Sequence, residues 1–203
     1  MAATADLTMR SIVLYGLDLA VKLVTVGLLL LAVLRPELPQ FQDKAFAGRA
    51  IAYPIALLAV PAIWWLFLRS RIHFPVVVDI LIGLPFLIDM AGNALNLYDT
   101  IEWWDDANHV LNWAIHTAAI GILLRVTALP AAARAGLGVA WAATTAILWE
   151  LAEYVAFVPN SPEAVRAYGD TLGDLALGLI GGSIAAVLVA WWPGVPARPM
   201  EGG

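Results

Sequence analysis

Six long apolar runs alternate with short polar segments along the chain, and each run is long enough to cross a bilayer as a helix. About 20 apolar residues span the hydrocarbon core. The runs are continuous rather than alternating, which favours helices over a β-barrel. The predicted spans are 11–34, 50–68, 75–96, 106–126, 135–158 and 171–192. The pattern predicts an all-α polytopic membrane protein, a six-transmembrane-helix bundle that forms one domain over residues 1–203.

Polar side chains are spaced helically in four of these spans, close to the ends that face the third and fifth loops. The third and fifth spans run towards these loops and the fourth and sixth run away from them. The polar groups are therefore expected to meet at one membrane face. They are Asp89, Asn93 and Asn96 in the third span; Asp105, His109, Asn112 and His116 along the fourth; Glu150 and Glu153 in the fifth; and Asp170 and Asp174 at the start of the sixth.

The depth of this polar stripe argues for a functional cavity. His116 follows Asp105 by eleven residues, which is roughly 16 Å along a helix that rises 1.5 Å per residue. Ionisable groups at that depth need water, ions or partners around them.

Several of these residues have simpler structural explanations. Asp105 or Asp106 is a natural N-cap for the fourth helix, and Asp170 for the sixth. His116 is equally explained as a hydrogen-bonded core histidine. In the first span Asp18 and Lys22 are four residues apart and neutralise one another on one helix face.

Carboxylates with imidazoles on facing helices are the ligands of zinc, iron or manganese sites. We expect His109, Glu150, Glu153 and Asp174 to bind a divalent metal ion directly, with Asp106 or Asp170 completing the shell. His116 is expected as a deeper ligand or as an orienting group. Such a site suits an enzyme that acts on a membrane-confined substrate, a lipid or another small hydrophobic molecule.

Two other functions use the same residues. A proton- or cation-conducting carrier or channel would pass its cargo along Asp89, His116 and Glu153, because carboxylates and histidines also form relays in membranes. A structural subunit would bury the polar stripe against a partner in a larger membrane complex. The sequence leaves the choice between enzyme, carrier and subunit open.

Composition and charge narrow the class further. Hydrophobic residues make up 62% of the chain and charged residues 13%, against about 45–50% and 25% in soluble domains, so the lipid bilayer is the expected partner. The absence of cysteine excludes disulfides, thiolate ligands and thiol nucleophiles. The chain has no basic block that would indicate a nucleic-acid partner. Lysine and arginine slightly favour the side that holds both termini, which predicts cytoplasmic termini.

Three segments of the second half resemble the YjdF-like family of bacterial inner-membrane proteins. They read YDTIEWWDDANHVLNW, ILWELAEYVAF and YGDTLGDLALGLIGG, and they are similar to YD(x)xxH-, E(x)xE(W/Y)- and GD…D-type elements of that family. By position the elements fall on Asp105 or Asp106 with His109, on Glu150 with Glu153, and on Asp170 with Asp174. The resemblance covers roughly residues 97–186 and implies a bacterial inner-membrane protein, without an assigned activity.

Overall fold

The computed structural model describes residues 2–42, 44–156 and 165–193. Helix accounts for 84% of the structure, and no strand occurs in the described parts, which confirms the all-α prediction. The helices are α1 (Ala2–Leu34), α2 (Phe46–Ile63), α3 (Val76–Ala94), α4 (Leu97–Thr100), α5 (Trp104–Leu124), α6 (Ala131–Ala156) and α7 (Ala167–Trp191). A 3-10 turn, Pro39–Phe41, precedes α2, and a π-helical segment, Trp64–Leu68, continues it.

Five of these helices are long and apolar enough to cross a membrane. They are α1, α2 with its π-helical continuation, α3, α6 and α7. The predicted ends lie within about four residues of the observed ones, except that α1 begins earlier, at Ala2. The predicted end of the fifth span, at residues 157–158, falls outside the described residues.

Helix α5 is more polar than the other long helices, and it lies at the centre of the bundle. It packs against α3, α6 and α7, and its buried residues include Asn108, His109 and Thr117. The three-helix group α1, α2 and α3 meets the group α5, α6 and α7 through the contact between α3 and α5. A helix surrounded by protein can carry polar groups that lipid would not tolerate.

Small residues set the register between α5 and α7, which run in the same direction. Gly178 lies against the indole of Trp113, Gly182 against the hydroxyl of Thr117, and Gly181 against the backbone carbonyl of Val110. Trp113 lies one helical turn after His109, and Gly178 lies one helical turn after Asp174. Thr117 and Gly182 follow one turn further along the two helices. Close backbone approach at the glycines therefore brings His109 level with Asp174.

Small residues also align α6 with α7, in antiparallel register. Gly182 lies against Ala142, and Gly138 lies against Ala186. Moving four residues towards the C-terminal end of α6 therefore corresponds to moving four residues towards the N-terminal end of α7. Continuing this register for two turns places Glu150 opposite Asp174. Helix α7 contains two GxxxG spacings, Gly169–Gly173 and Gly178–Gly182. Gly169 and Gly173 have open space where a Cβ would stand, so only the second spacing serves packing.

The connection from α3 to α5 folds back over the end of the bundle. Asn96 adopts a left-handed conformation with φ 58°, which asparagine tolerates better than most residues, and α4 follows directly. Trp104 then packs its indole against Gly92. This connection holds Tyr98 above α3.

Neither predicted N-cap is formed. Trp103 occupies the N-cap of α5 and Arg166 that of α7, in each case without a side-chain hydrogen bond to the helix. Asp105, Asp106 and Asp170 lie in the first turns instead, where their negative charge is favourable beside the free backbone N–H groups. Asp105 faces His109, four residues later in the same helix.

The outward faces of the helices are apolar, as a bilayer requires. Large aliphatic side chains of α1, α2 and α7 stand exposed along their lengths, among them Leu23, Leu30, Ile51, Ile55 and Leu188. A surface of this kind is stable in lipid and not in water. The chain is therefore an integral membrane protein whose polar groups are turned inward.

Candidate metal centre

A cavity of about 370 Å³ occupies the end of the bundle where α3 ends and α5 and α7 begin. Its wall includes most of the polar side chains that the sequence singles out, together with aromatic rings. The polar lining residues are Lys44, Arg49, Tyr53, Asp89, Asn93, Tyr98, Asp99, Asp105, Asn108, His109, Asn112, His116, Glu153, Arg166, Asp170 and Asp174. The predicted meeting of four polar clusters at one end is therefore observed.

His109 is the centre of the densest group of ionisable side chains. Its Nε2 lies 3.5 Å from Asp174 Oδ1 and 3.8 Å from Asp105 Oδ1. One ligand atom of each of these three residues lies within 4.8 Å of the other two. His109 and Asp174 are 8% and 5% exposed, whereas the side chain of Asp105 is 47% exposed, so this group, named the His109 cluster below, is buried at His109 and Asp174 and open at Asp105.

The spacing in the His109 cluster suits a small divalent cation. Zinc–ligand bonds of about 2.0–2.1 Å in a tetrahedron imply ligand atoms about 3.3 Å apart. The two distances from His109 Nε2 are a few tenths of an ångström longer than this. One imidazole nitrogen and carboxylate oxygens also suit iron and manganese. The donor set therefore fits the zinc, iron or manganese ion that the sequence predicts.

Glu150 approaches the other nitrogen of the same imidazole. His109 Nδ1 lies 4.0 Å from Glu150 Oε1, and this buried nitrogen has no hydrogen-bond partner. Glu150 is 8% exposed and does not line the main cavity. Instead it lines a smaller apolar recess between α6 and α7. Glu150 therefore faces Nδ1 of His109, whereas Asp105 and Asp174 face Nε2.

The deep end of the cavity is aromatic. His116 lies between Phe86 and Trp113, with ring centroids 5.7 Å away on both sides. Its Nε2 is 3.3 Å from the backbone carbonyl of Ile82 in α3. His116 therefore lines the cavity as a core histidine with a backbone contact, about two helical turns below His109.

A second network surrounds Asp89 on the opposite wall. Its carboxylate accepts hydrogen bonds from Tyr53 at 2.5 Å and from Tyr98 at 2.9 Å. Asn93 donates to it at 3.2 Å, and Arg49 Nε lies 3.4 Å away. Asp89 is 7% exposed, and these donors compensate its buried charge.

Tyr98 links this network to the connection between α3 and α5. Burial raises the pKa of Tyr98 well above its ordinary value, and the nearby Asp89 carboxylate adds to the effect. The phenol therefore stays protonated and acts as a hydrogen-bond donor. Lys44 closes the rim above it by pairing with Asp99, with Nζ–Oδ distances of 2.9 and 2.8 Å.

The sequence-predicted residues occupy different places around the cavity. His109 and Asp174 lie in the His109 cluster with Asp105, whereas the predicted Asp106 is exposed and outside it. Four other predicted residues line the cavity without belonging to the cluster: Glu153, Asp170, His116 and Asp89. Glu150 approaches His109 from its Nδ1 side. That any of them binds a metal ion stays a prediction.

Sequence reasoning missed the partners of Asp89. Arg49 and Tyr53 are four residues apart at the start of α2, and the arginine appears in the sequence as an ordinary loop charge. An Arg and a Tyr sharing one face of an apolar helix are a weak signal of a buried anionic partner. Nothing in the pattern pairs them with α3 in advance.

Comparison with known proteins gives one match. A family model described as "Predicted membrane protein (DUF2238)" covers residues 18–194. No curated protein and no solved structure matches the chain. The matched region runs from α1 to just beyond α7 and contains every residue of the cavity.

Proposed function

Since the chain belongs to this family of predicted membrane proteins, whose description names no activity, we propose its function from the site itself: a membrane-embedded metalloenzyme. Asp105, His109 and Asp174 are the proposed ligands of one divalent cation. The observation that carries the proposal is the convergence of these three residues, from two helices, beside a cavity of about 370 Å³. The resemblance to the YjdF-like family supports it, because its motifs contain all three residues.

The number of proposed ligands favours catalysis over a structural role. Structural zinc sites are closed by four protein ligands, whereas catalytic sites use three and keep a position for water or substrate. When bound, the ion would supply Lewis acidity that activates water or a substrate oxygen. The zinc, iron or manganese ion would also offset the negative charge that Asp105, Asp174 and Glu150 place around one imidazole.

Glu150 takes a supporting role in this proposal. A carboxylate that faces the second nitrogen of a metal-binding histidine fixes the ring orientation and raises its basicity. Glu153 and Asp170 line the cavity outside the cluster. Glu153 is the carboxylate we propose to accept a proton from the reacting group, and Asp170 borders the entrance.

The cavity lining indicates the kind of substrate. Carboxylates, amides and cations occupy the loop end, while Pro85, Phe86, Trp113 and Trp149 provide apolar walls deeper in the bundle. A lipid or another small hydrophobic molecule with a polar group fits this division, because pockets with apolar walls and few polar groups orient such ligands.

The proposal includes a membrane arrangement. We propose that α5 crosses the membrane as a sixth span in a bacterial inner membrane, with both termini cytoplasmic and the cavity open to the other side. The support is that α5 packs against α3, α6 and α7 and that Asn108, His109 and Thr117 of α5 are buried.

Metal content of the purified protein tests the metalloenzyme proposal. Wild-type protein should hold close to one zinc, iron or manganese ion per chain, and Asp174→Asn and His109→Ala should each abolish this stoichiometric metal. Asp106→Asn is the matched control, because it removes a neighbouring but exposed carboxylate of the same helix. Wild-type protein that stays metal-free after incubation with each of the three ions would sink the proposal.

A relay is the second candidate function, and the place of His116 favours it. His116 reaches from the cavity to the backbone of α3 at Ile82, well below Asp89 and Glu153, so the three could pass a proton or cation inward. Flux into liposomes should then disappear in Glu153→Gln and His116→Gln. Undiminished flux in both variants removes these residues from any conduction path.

A further inference from the structure

A second buried charge cluster lies outside the cavity, between α1 and α3. Lys22 donates to Asp18 Oδ2 at 2.8 Å and also to Asp79 Oδ2. Asp79 is 1% exposed and Asp18 is 8% exposed. The sequence predicts only the Asp18–Lys22 pair; α3 contributes the second carboxylate. These three residues are named the Lys22 triad below.

The charges of the Lys22 triad do not balance when both carboxylates are ionised. One ammonium group then faces two carboxylates, and a net negative charge remains where burial disfavours it. In addition, Asp18 Oδ1 is buried and has no hydrogen-bond partner. One proton held by the carboxylate pair makes the triad neutral and occupies the unsatisfied side of the pair.

The neighbouring elements bring little further compensation to the triad. In α2, which packs against α1 and α3, the titratable side chains are Arg49 and Tyr53, and both are engaged with Asp89. The segment before α3 carries Arg69, Arg71 and His73, which are exposed. From α5, the nearest titratable group is His116, at Ile82.

The triad and the cavity are joined by a short stretch of α3. Asp79 precedes Asp89 by ten residues, which is about 15 Å along the helix, and Ile82 lies only about 4.5 Å along the axis from Asp79. His116 lines the cavity and contacts the carbonyl of Ile82. Val21 and Leu57 pack against Gly83, and these apolar side chains lie between the Lys22 triad and the cavity.

We propose that the Lys22 triad is a proton-binding site, holding one exchangeable proton on the Asp18–Asp79 carboxylate pair. Lys22 remains charged and hydrogen-bonded to both carboxylates. The site goes beyond the metal centre, shares no residue with it and is occupied whether or not metal is bound.

Infrared difference spectroscopy on the whole protein in lipid tests the proposal. Wild-type protein at neutral pH should show the carbonyl stretch of one protonated carboxylic acid that is absent from both Asp18→Asn and Asp79→Asn, since each leaves one neutral Lys–Asp pair. Lys22→Met should retain the band, because two carboxylates without a cation need a proton even more. Asp99→Asn, which removes a carboxylate at the cavity rim, is the matched control and should leave the band unchanged.

Persistence of the band in both aspartate variants would overturn the proposal, as would its absence from wild-type protein. Should Asp79→Asn fail to fold, Asp18→Asn carries the test alone, with helix content checked by circular dichroism. In His116→Gln the band should remain, because this residue is not part of the triad. The band should also remain in Asp174→Asn, which separates failure of this site from failure of the metal centre.

Discussion

His109 is the side chain on which the candidate site depends most. Its two ring nitrogens face different partners, with Asp105 and Asp174 on the Nε2 side and Glu150 on the Nδ1 side. A hydrogen bond from Nδ1 to Glu150 would fix the tautomer and orientation of the ring and leave Nε2 to bind metal. Glu150 and Asp174 are therefore expected to contribute differently to metal affinity.

Glu150→Gln should weaken zinc binding roughly 10–100-fold, as removal of such a supporting carboxylate commonly does. Asp174→Asn should abolish stoichiometric binding, because it removes a direct ligand. Competition against a chromogenic chelator measures both affinities. Equal losses in the two variants would mean that Glu150 is itself a ligand, as the sequence pattern predicts.

Tyr98 predicts a specific dependence of stability on pH. Its pKa is raised in the folded protein, whereas an unfolded tyrosine ionises near pH 10. The raised pKa does not change the free energy of unfolding below about pH 10. As the pH rises further, the free energy of unfolding falls, because only the unfolded state then loses the proton. The unfolding temperature of wild-type protein should fall more steeply above pH 10 than that of Tyr98→Phe. Parallel curves would contradict the buried phenol.

The types of residue in the site were predictable, but not every identity. Polar residues with helical spacing in apolar spans indicate His109, Asp174 and Glu150 directly. The choice between Asp105 and Asp106 was not accessible, since neighbours on a helix point about 100° apart and only the position of α7 decides which one also faces Asp174. Arg49 and Tyr53 were missed because their partner, Asp89, is distant in sequence.

Helix α7 positions the site through its contact with α5. The glycines that allow the approach lie one and two turns beyond Asp174, so the distance from His109 to Asp174 depends on the packing below it. The GxxxG spacing of Gly169 and Gly173 and that of Gly178 and Gly182 both allow a close approach of two helices. The structure uses only the one at Gly178 and Gly182, because α7 meets its neighbours there and Gly169 and Gly173 face open space.

Gly181→Ala should destabilise the protein by about 1–3 kcal/mol, the range for overpacking a tight contact. Its new methyl group would meet the carbonyl of Val110, which belongs to the backbone and cannot rotate away. Gly173→Ala is the matched control in the same helix and should leave stability unchanged or slightly raised. Thermal unfolding in detergent measures both; equal effects would show that α5 and α7 are less closely packed.

The arrangement of the bundle in the membrane follows from charge and packing together. Sequence counting places six basic residues on the side of the termini and four on the other, a small difference. Of the four, Lys44 pairs with Asp99 and Arg49 with Asp89, so these charges are explained by local partners. The orientation with cytoplasmic termini stays a prediction.

Single-cysteine labelling tests this arrangement, and the chain has no cysteine of its own. Thr127→Cys, between α5 and α6, should react with a membrane-impermeant maleimide only after the membrane is opened. Thr100→Cys, between α3 and α5, should react in intact cells. Labelling of both positions from the same side would show that α5 does not cross the membrane, and the reverse pattern would invert the orientation.

The central claim is that one divalent cation binds at Asp105, His109 and Asp174. X-ray absorption at the zinc edge of the zinc-loaded protein tests it most directly, because imidazole ligands give a distinct scattering signature. The proposal predicts one imidazole with the remaining ligands oxygen, unchanged in His116→Gln. A shell with no imidazole, or with two, would contradict it.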